Sequence, residues 1–266
     1  MKNILIIGAN GFTGRRILND LSVNPIYHVT GCSLRDDICP GKDYRFVRTD
    51  IRDENEVRKL FKECRPDIVI NTSALSVPDY CETHHAEAEA TNVTAVETIA
   101  HVCEQYGSRF IHLSTDFVFD GKSTRLYKEE DEAIPVNYYG VTKLKAEKII
   151  ASICSNYAIV RVVVVYGKAL PGQHGNILQL VANRLRNGET IRVVSDQWRT
   201  PTFVGDISVG VEKLMFHTAN GIYHICGSEC LTIAEIAYRV ADFLKLDRSL
   251  IEPVTTEEMK EATPRP

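Results

Sequence analysis

The stretch Ile4-Leu5-Ile6-Ile7-Gly8-Ala9-Asn10-Gly11-Phe12-Thr13-Gly14 joins a short aliphatic run to a glycine-rich turn and the start of a helical pattern. An aliphatic run of this length is typical of a buried strand. In G-x-x-G-x-x-G the glycines permit a tight turn, a close approach of backbone to a pyrophosphate, and close packing of helix on strand. The stretch therefore predicts a parallel α/β fold with a dinucleotide-binding turn, and the residues expected to contact the cofactor are Gly8, Asn10, Gly11, Phe12, Thr13 and Gly14.

The same alternation of strand and helix continues through the first 165 residues. Further β-branched runs occur at 27–30, 68–70, 110–113 and 159–165, and helical periodicity occurs at 54–64, 86–106 and 138–153. Such alternation predicts a doubly wound parallel sheet covered by helices on both faces. We predict an NAD(P)-binding Rossmann domain over 1–165 and a smaller α+β lobe, mainly for substrate binding, over 166–266. Because the sequence ends without a closing helix or strand, we expect residues to be missing at its C-terminus.

Composition excludes several classes of protein. The 266 residues are 44% hydrophobic and 25% charged with a net charge of −4, as in ordinary globular proteins and unlike disordered or nucleic-acid-binding chains. We expect no membrane partner, because no apolar run approaches the length of a membrane span. Eight cysteines without a C-x-x-C pair or a signal peptide indicate cytoplasmic thiols. No metal site is predicted, and a homodimer is left open.

The end of the second predicted strand bears on the choice of cofactor. Many NAD sites carry an acidic residue there that binds the adenosine ribose. Here Ser33 and Arg35 occupy this region, and both suit a 2′-phosphate. The sequence therefore favours NADPH, with NADH still possible. After the third predicted strand, Asp50 and Ile51 are expected either to flank the adenine or to form a solvated turn.

Tyr139 and Lys143 form a Y-x-x-x-K pair within the predicted helix 138–153. Residues four apart lie on one face of a helix. When hydride reduces a ketone, the oxygen needs a proton, and a tyrosine supplies it more readily if its pKa falls from about 10. A nearby ammonium favours the phenolate and lowers that pKa. We predict proton transfer by Tyr139, with Lys143 supporting it and also holding the nicotinamide ribose.

Hydroxyl groups follow the predicted strand 110–113 in the segment Ser114-Thr115-Asp116. Ligands of open α/β sheets bind at the carboxyl ends of the strands. Thr115 is therefore placed where its hydroxyl can hydrogen-bond a substrate carbonyl and polarise it.

With these motifs the chain resembles the extended short-chain dehydrogenases/reductases, and most closely the dTDP-4-dehydrorhamnose reductase family. The resemblance covers essentially the whole length. It is carried by Gly8–Gly14, Arg65-Pro66-Asp67, Val77-Pro78-Asp79-Tyr80-Cys81-Glu82, Asn92-Val93, Ser114-Thr115-Asp116-Phe117-Val118-Phe119-Asp120-Gly121, Tyr139-Gly140-Val141-Thr142-Lys143-Leu144, Asp196-Gln197 and Pro201-Thr202.

The resemblance implies roles for particular residues. Thr115, Tyr139 and Lys143 would be catalytic, and Asn92 would support the lysine through a water molecule. The residues expected to face a sugar nucleotide are Asp116, Gln197, Arg199 and Thr202. The implied reaction is the NADPH-dependent reduction of dTDP-4-dehydro-6-deoxy-L-mannose to dTDP-L-rhamnose for polysaccharide biosynthesis.

Two departures from the family pattern leave alternatives open. Val164 occupies the position of a tryptophan that the family usually carries, and the sequence stops at Arg265-Pro266, within a family segment that continues further. One alternative is another extended short-chain sugar-nucleotide reductase or an epimerase. The other is a non-catalytic NADP-binding protein like the regulatory subunit of methionine adenosyltransferase, which resembles the same family and also lacks that tryptophan.

Overall fold

The computed structural model describes residues 1–40, 43–173 and 175–266. The strands are β1 Lys2–Ile7, β2 Tyr27–Ser33, β3 Arg45–Arg48, β4 Ile68–Asn71, β5 Arg109–Thr115, β6 Tyr157–Val162, β7 Val165–Tyr166, β8 Ile191–Val194, β9 Trp198–Arg199, β10 Thr202–Phe203, β11 Gly221–Ile225, β12 Leu231–Thr232 and β13 Ile251–Val254. The α-helices are α1 Phe12–Ser22, α2 Glu54–Cys64, α3 Pro78–Thr83, α4 His85–Glu89, α5 Ala95–Tyr106, α6 Tyr138–Ile153, α7 Ile177–Arg186, α8 Val204–Phe216, α9 Ile233–Leu244 and α10 Thr256–Met259.

Seven strands form the central sheet in the order β11-β6-β5-β4-β1-β2-β3. Every neighbouring pair in it is parallel. The order reverses between β1 and β4, which is where doubly wound sheets form a ligand crevice at the carboxyl ends of their strands. This architecture confirms the predicted doubly wound Rossmann fold.

Two apolar cores, one on each face, hold the sheet between its helices. Ile4 and Ile6 of β1 pack towards α1 and α8, whereas Leu5 and Ile7 pack towards α2, α5 and α6. Side chains alternate between the two faces of a strand, so a strand with both faces covered is a continuous aliphatic run. The local pattern at the start of the chain therefore reflects burial on both sides.

A third core lies outside this sheet, where α7 and α9 pack with β8 and β13. The second half of the chain also returns to the Rossmann sheet, because β11 pairs with β6 and α8 packs against the core on the α1 face. The division into a domain over 1–165 and a lobe over 166–266 stays a prediction. Within the described ranges, no helix is both long and apolar enough to cross a membrane.

The predicted strand 159–165 is not continuous. β6 ends at Val162, and Val164 adopts a backbone φ of +38°, a left-handed conformation that β-branched residues rarely occupy. After this turn β7 leaves the central sheet and pairs with β10. The amide of Thr202 donates to the carbonyl of Val164 at 3.2 Å and helps to hold the turn.

The predicted helix 86–106 contains a local widening. Residues Ala90–Thr94 form a π turn between α4 and α5, which places Asn92 inside the molecule with no measurable exposure. Insertions of this kind are common at functional sites, because they turn one side chain away from the regular helical direction.

Candidate active site

The glycine-rich turn is packed too closely to hold side chains at Gly8 and Gly14. Gly8 has a φ of +82°, and a Cβ there would lie 2.7 Å from the backbone nitrogen of Ser73. A Cβ on Gly14 would lie 2.4 Å from the carbonyl oxygen of Gly8. Helix α1 begins directly after Gly11, with no side-chain cap and no acidic residue in its first turn. Its first backbone N–H groups are therefore available to an anion such as a pyrophosphate.

Asn10 has a role in this turn that the sequence did not indicate. Its Nδ2 donates to the carbonyl oxygens of Arg35 at 3.1 Å and Asp36 at 2.8 Å, so it joins the turn to the segment after β2. Its Oδ1 accepts from the buried guanidinium of Arg15 at 2.8 Å. Phe12 and Thr13 follow in the first turn of α1 and are partly exposed. The structure thus places Asn10 within the glycine-rich turn, with its side chain already hydrogen-bonded to the protein.

Two further residues near the turn were not predicted. Gln173, from a loop far along the chain, donates to the carbonyl oxygens of Asn10 at 3.0 Å and Gly11 at 3.1 Å. Arg15 forms a buried ion pair with Asp37 at 2.5 Å. An arginine in the first turns of an apolar helix is a weak signal for such a pair, and nothing in the local sequence indicates Gln173.

The two pairs of residues predicted to contact the adenosine differ in whether their side chains are free to bind a ligand. Ser33 ends β2, and the side chain of the exposed Arg35 makes no hydrogen bond to any residue that the structure describes. Asp50, by contrast, accepts from Arg52 at 2.6 Å and 2.9 Å, and this guanidinium lowers the pKa of Asp50. Ile51 packs against the core on the α2 face. Among these predicted contacts, Arg35 is therefore the positively charged residue whose side chain is not hydrogen-bonded within the described part of the chain.

Helix α6 presents Tyr139, Lys143 and Glu147 in one line, four residues apart. Asn137 starts the helix, and its Oδ1 accepts from the amide of Gly140 at 2.9 Å. A Cβ on Gly140 would lie 2.1 Å from the carbonyl oxygen of Phe117, so glycine there lets the helix approach the segment after β5 closely. This packing brings the face of α6 that carries these three side chains against the carboxyl end of β5.

Lys143 is buried to 1% exposure, although its side chain carries an amine. Its Nζ lies 2.8 Å from Nε2 of His112 and donates to the carbonyl oxygen of Leu113 at 2.7 Å. Burial lowers the pKa of Lys143 to about 8, and Glu147 partly opposes this change. His112 was not predicted, because a histidine inside an apolar strand has no local signal that distinguishes it from a core residue.

Tyr139 is partly buried, and its ring packs edge-on against Phe117 with centroids 5.6 Å apart. Burial raises the pKa of Tyr139, and the nearby hydroxyl of Thr115 opposes that rise. The nearby carboxylate of Asp116 raises the pKa further.

Asn92 contacts helix α6 through Thr142. Its Oδ1 accepts from the amide of Leu75 at 2.8 Å, and its Nδ2 donates to the carbonyl of Leu75 and the hydroxyl of Thr142, both at 3.0 Å. Thr142 directly precedes Lys143 on α6. The structure thus connects Asn92 to the hydroxyl of the residue before the lysine, and support through a water molecule stays a prediction.

A cavity of about 850 Å³ opens beside the carboxyl ends of β5 and β6. Its walls include the predicted Asp116, Gln197 and Arg199, and also Phe119, Tyr127, Arg161 and His224, which were not predicted. The Phe119 and Tyr127 rings stack at 4.2 Å and form an aromatic wall. Another cavity of about 650 Å³ lies near Asp67 and Arg109, at the opposite ends of the strands, away from these residues.

The predicted substrate residues differ in how far their polar groups are already paired with other residues of the protein. Nε of Arg199 lies 3.6 Å from Oδ2 of Asp116, and burial raises the pKa of that carboxyl while Arg199 lowers it. Nε2 of Gln197 lies 3.2 Å from both Thr256 and Glu261. Thr202 is fully covered and donates to the carbonyl of Val163 at 2.7 Å, so its hydroxyl is occupied by the protein.

The whole chain matches a known protein family. The family model described as the RmlD substrate binding domain matches residues 1–266. The chain belongs to this family. It is a member of the extended short-chain dehydrogenases/reductases, as its motifs predicted.

Three known proteins illustrate the range of this RmlD family. The probable low-salt glycan biosynthesis reductase Agl14 of Haloferax volcanii is 30% identical over 264 residues, which cover 98% of this chain and 86% of the relative. The methionine adenosyltransferase 2 subunit beta of Xenopus laevis is 32% identical over 270 residues, covering 100% of this chain and 78% of the relative. The crystal structure of dTDP-4-dehydrorhamnose reductase from Bacillus anthracis in complex with NADP superposes with a TM-score of 0.87 at 28% identity, covering 100% of this chain and 89% of that one.

Proposed function

We propose that this RmlD-family chain is an NADPH-dependent reductase of a sugar nucleotide, acting on the 4-keto group of a dTDP-sugar. The first candidate substrate is dTDP-4-dehydro-6-deoxy-L-mannose, which would be reduced to dTDP-L-rhamnose. The observation that carries the proposal is the placement of Tyr139 and Lys143 on one face of α6 against the carboxyl end of β5, where Asp116, the residue after Thr115, lines the 850 Å³ cavity. Relatives named as reductases support the same reaction class.

The glycine-rich turn fits the proposed cofactor. Gly8 and Gly14 allow the turn to pack closely against its own backbone, and the uncapped first turn of α1 that follows would face a pyrophosphate with backbone N–H groups. NADPH would supply hydride to the substrate carbon. Arg35 would bind the 2′-phosphate, and Lys143 would hold the nicotinamide ribose.

The protein's own groups would manage the proton and the carbonyl. The Thr115 hydroxyl is near enough to lower the pKa of Tyr139, so both hydroxyls would meet one carbonyl oxygen. Tyr139 would then donate its proton to that oxygen as the alcohol forms. A tyrosine releases this proton more readily near neutral pH when a cation is nearby, and Lys143, the buried amine on the same helix face, would be that cation in its protonated form.

The substrate would occupy the cavity beside this group. Arg199 would meet the negative charge of a diphosphate, and Asp116 and Gln197 would bind sugar hydroxyls. The stacked Phe119 and Tyr127 provide an apolar wall for a base or a sugar face. Val164 takes the place of an aromatic residue, which would widen the site at that position.

The test is an assay of NADPH consumption with dTDP-4-dehydro-6-deoxy-L-mannose and identification of the sugar product. We expect stoichiometric oxidation of NADPH and formation of the 4-hydroxy sugar. Conversion of the sugar without net oxidation would indicate an epimerase and contradict the proposal. Oxidation only with other keto-sugar nucleotides would retain the reductase and change its substrate.

Replacing Arg35 with Gln is expected to raise the Kd of NADPH by about 10- to 100-fold, since hydrogen bonds to charged groups contribute about 1.5–3 kcal/mol. The Kd of NADH should change little, because NADH lacks the 2′-phosphate. Binding is measured by the change in nicotinamide fluorescence. The exposed Arg58 on α2 provides a control, Arg58→Gln. Equal losses for the two cofactors would show that Arg35 does not bind the 2′-phosphate.

A non-catalytic regulatory subunit is a second candidate, favoured by the 32% identity with methionine adenosyltransferase 2 subunit beta and by Val164. In that case NADPH would bind without being oxidised by any keto-sugar nucleotide. Addition of the chain would instead alter the kinetics of a methionine adenosyltransferase. The two functions are thus separated by two assays on the same preparation.

A further inference from the structure

A chain of buried polar groups runs from the catalytic lysine into the sheet. His112 is completely buried on β5, and its Nε2 faces Nζ of Lys143 at 2.8 Å. On the other side its Nδ1 lies 3.1 Å from Nδ2 of Asn71, the residue opposite it on β4. The imidazole is therefore held between two nitrogen-bearing side chains.

The orientation of the Asn71 amide determines which nitrogen of His112 carries the proton. The backbone N–H of Ser73 can only donate, and it lies 3.0 Å from Oδ1 of Asn71. The Ser73 hydroxyl also donates to this oxygen, at 2.6 Å. Nδ2 of Asn71 must then be the group that faces His112, and an amide nitrogen donates. It follows that Nδ1 of His112 accepts and that Nε2 carries the ring proton.

This tautomer has a consequence for Lys143. Nε2–H can only donate to the lysine, which must offer a lone pair as a neutral amine. The neutral amine also donates to the Leu113 carbonyl, and it keeps one further N–H for another partner. An ammonium group would place two donors against each other, either at Lys143 or at Asn71.

We propose that His112, oriented by Asn71, is a positioning residue that donates a hydrogen bond to Lys143. This bond favours the neutral amine, so the lysine can release and regain a proton during turnover. Its meaning for turnover rests on the proposed function of Lys143. The buried network itself does not depend on the reaction, so it can be examined without substrate.

The charged and titratable groups around the pair agree with this assignment. Burial keeps the pKa of His112 well below its usual range, and a proton on Lys143 lowers it further, so the ring is neutral in either state of the lysine. Glu147 on α6 favours the ammonium form of Lys143 but is itself paired with Arg161 of β6 at 2.6 Å. Tyr139 lies one turn away on α6, and β4 contributes the uncharged Asn71.

The first test is nitrogen NMR of the unaltered protein with isotope-labelled histidine. The His112 signals are assigned by their loss in His112→Gln. We expect a protonated Nε2 and an unprotonated Nδ1. A proton on Nδ1 would overturn the proposal whether or not the chain reduces a keto sugar.

The second test reverses the orientation of the ring. Asn71→Asp presents an acceptor to Nδ1, so the proton moves there and Nε2 can accept from an ammonium. We expect the pKa of Lys143, followed by carbon NMR of labelled lysine, to rise by about 1 unit or more. The alkaline limit of the pH–kcat profile should move in the same direction.

Two matched variants separate a relayed effect from other causes. In a His112→Phe background, Asn71→Asp should change the pKa of Lys143 much less, because the ring that transmits the effect is gone. Ile159→Val removes one methylene group from the residue opposite His112 on β6, and it should leave the pKa of Lys143 unchanged. An equal shift in the two backgrounds would indicate charge alone and contradict the positioning role.

Discussion

Replacing Tyr139 with Phe is expected to lower kcat for keto-sugar reduction by about 10²- to 10⁴-fold, the usual contribution of a positioned general acid. The substitution removes one hydroxyl and leaves the ring, which packs against Phe117. We therefore expect the free energy of unfolding and the Kd of NADPH to stay close to those of the parent protein. Steady-state kinetics, NADPH titration and urea unfolding measure the three quantities.

Tyr138 offers a matched control for this experiment on the preceding residue of the same helix. Its hydroxyl donates to Glu89 at 2.8 Å, and its ring stacks on His85, outside the cavity that contains Asp116. Tyr138→Phe should leave kcat within a few-fold of the parent. If Tyr139→Phe turns over at the parent rate, the proton donor is a different group.

Replacing Glu147 with Ala is expected to destabilise the protein by about 3–5 kcal/mol, because it leaves a buried guanidinium without its carboxylate. Glu147 accepts from Nη2 of Arg161 at 2.6 Å and from Nε at 3.0 Å, and the two side chains are 3% and 4% exposed. Ser114 also donates to this carboxylate. The loss appears as a lower midpoint in urea unfolding followed by circular dichroism.

Two further variants test the cause of that loss. Glu229→Ala breaks the ion pair with Arg239, in which both side chains are more than half exposed, and should cost at most about 1 kcal/mol. The double variant Glu147→Leu with Arg161→Met removes both buried charges and should recover a large part of the stability. A double variant as unstable as Glu147→Ala would show that shape, and not the unpaired charge, causes the loss.

The phosphate turn was predictable because its determinants are neighbours along the chain. A strand, a turn with restricted space and a helix follow one another within Ile4–Gly14, and glycine is required where Cβ atoms would collide with backbone. The Tyr139 and Lys143 pair was predictable for a similar reason, since helical periodicity alone places both side chains on one face. Their roles in binding and proton transfer stay predictions until the assays above are made.

Interruptions of regular elements were not predictable in the same way. The valine run 162–165 reads as one strand, because β-branched residues favour extended backbone and disfavour a positive φ. Val164 nevertheless turns the chain, and its carbonyl accepts from Thr202, which is distant in sequence. Contacts of the folded state outweigh the local preference at this residue.

Buried polar partners were also decided by tertiary packing. His112 and Lys143 are 31 residues apart, and Gln173 is 163 residues from Asn10, whose carbonyl it binds. By itself the sequence determined the alternation of strands and helices, the glycine turn and the shared face of Tyr139 and Lys143 on α6, because these depend on the steric and hydrogen-bonding properties of nearby residues. Only the tertiary structure decided the partners of Asn10, Lys143 and Thr202, because a buried donor or acceptor must be satisfied by whichever element packs against it.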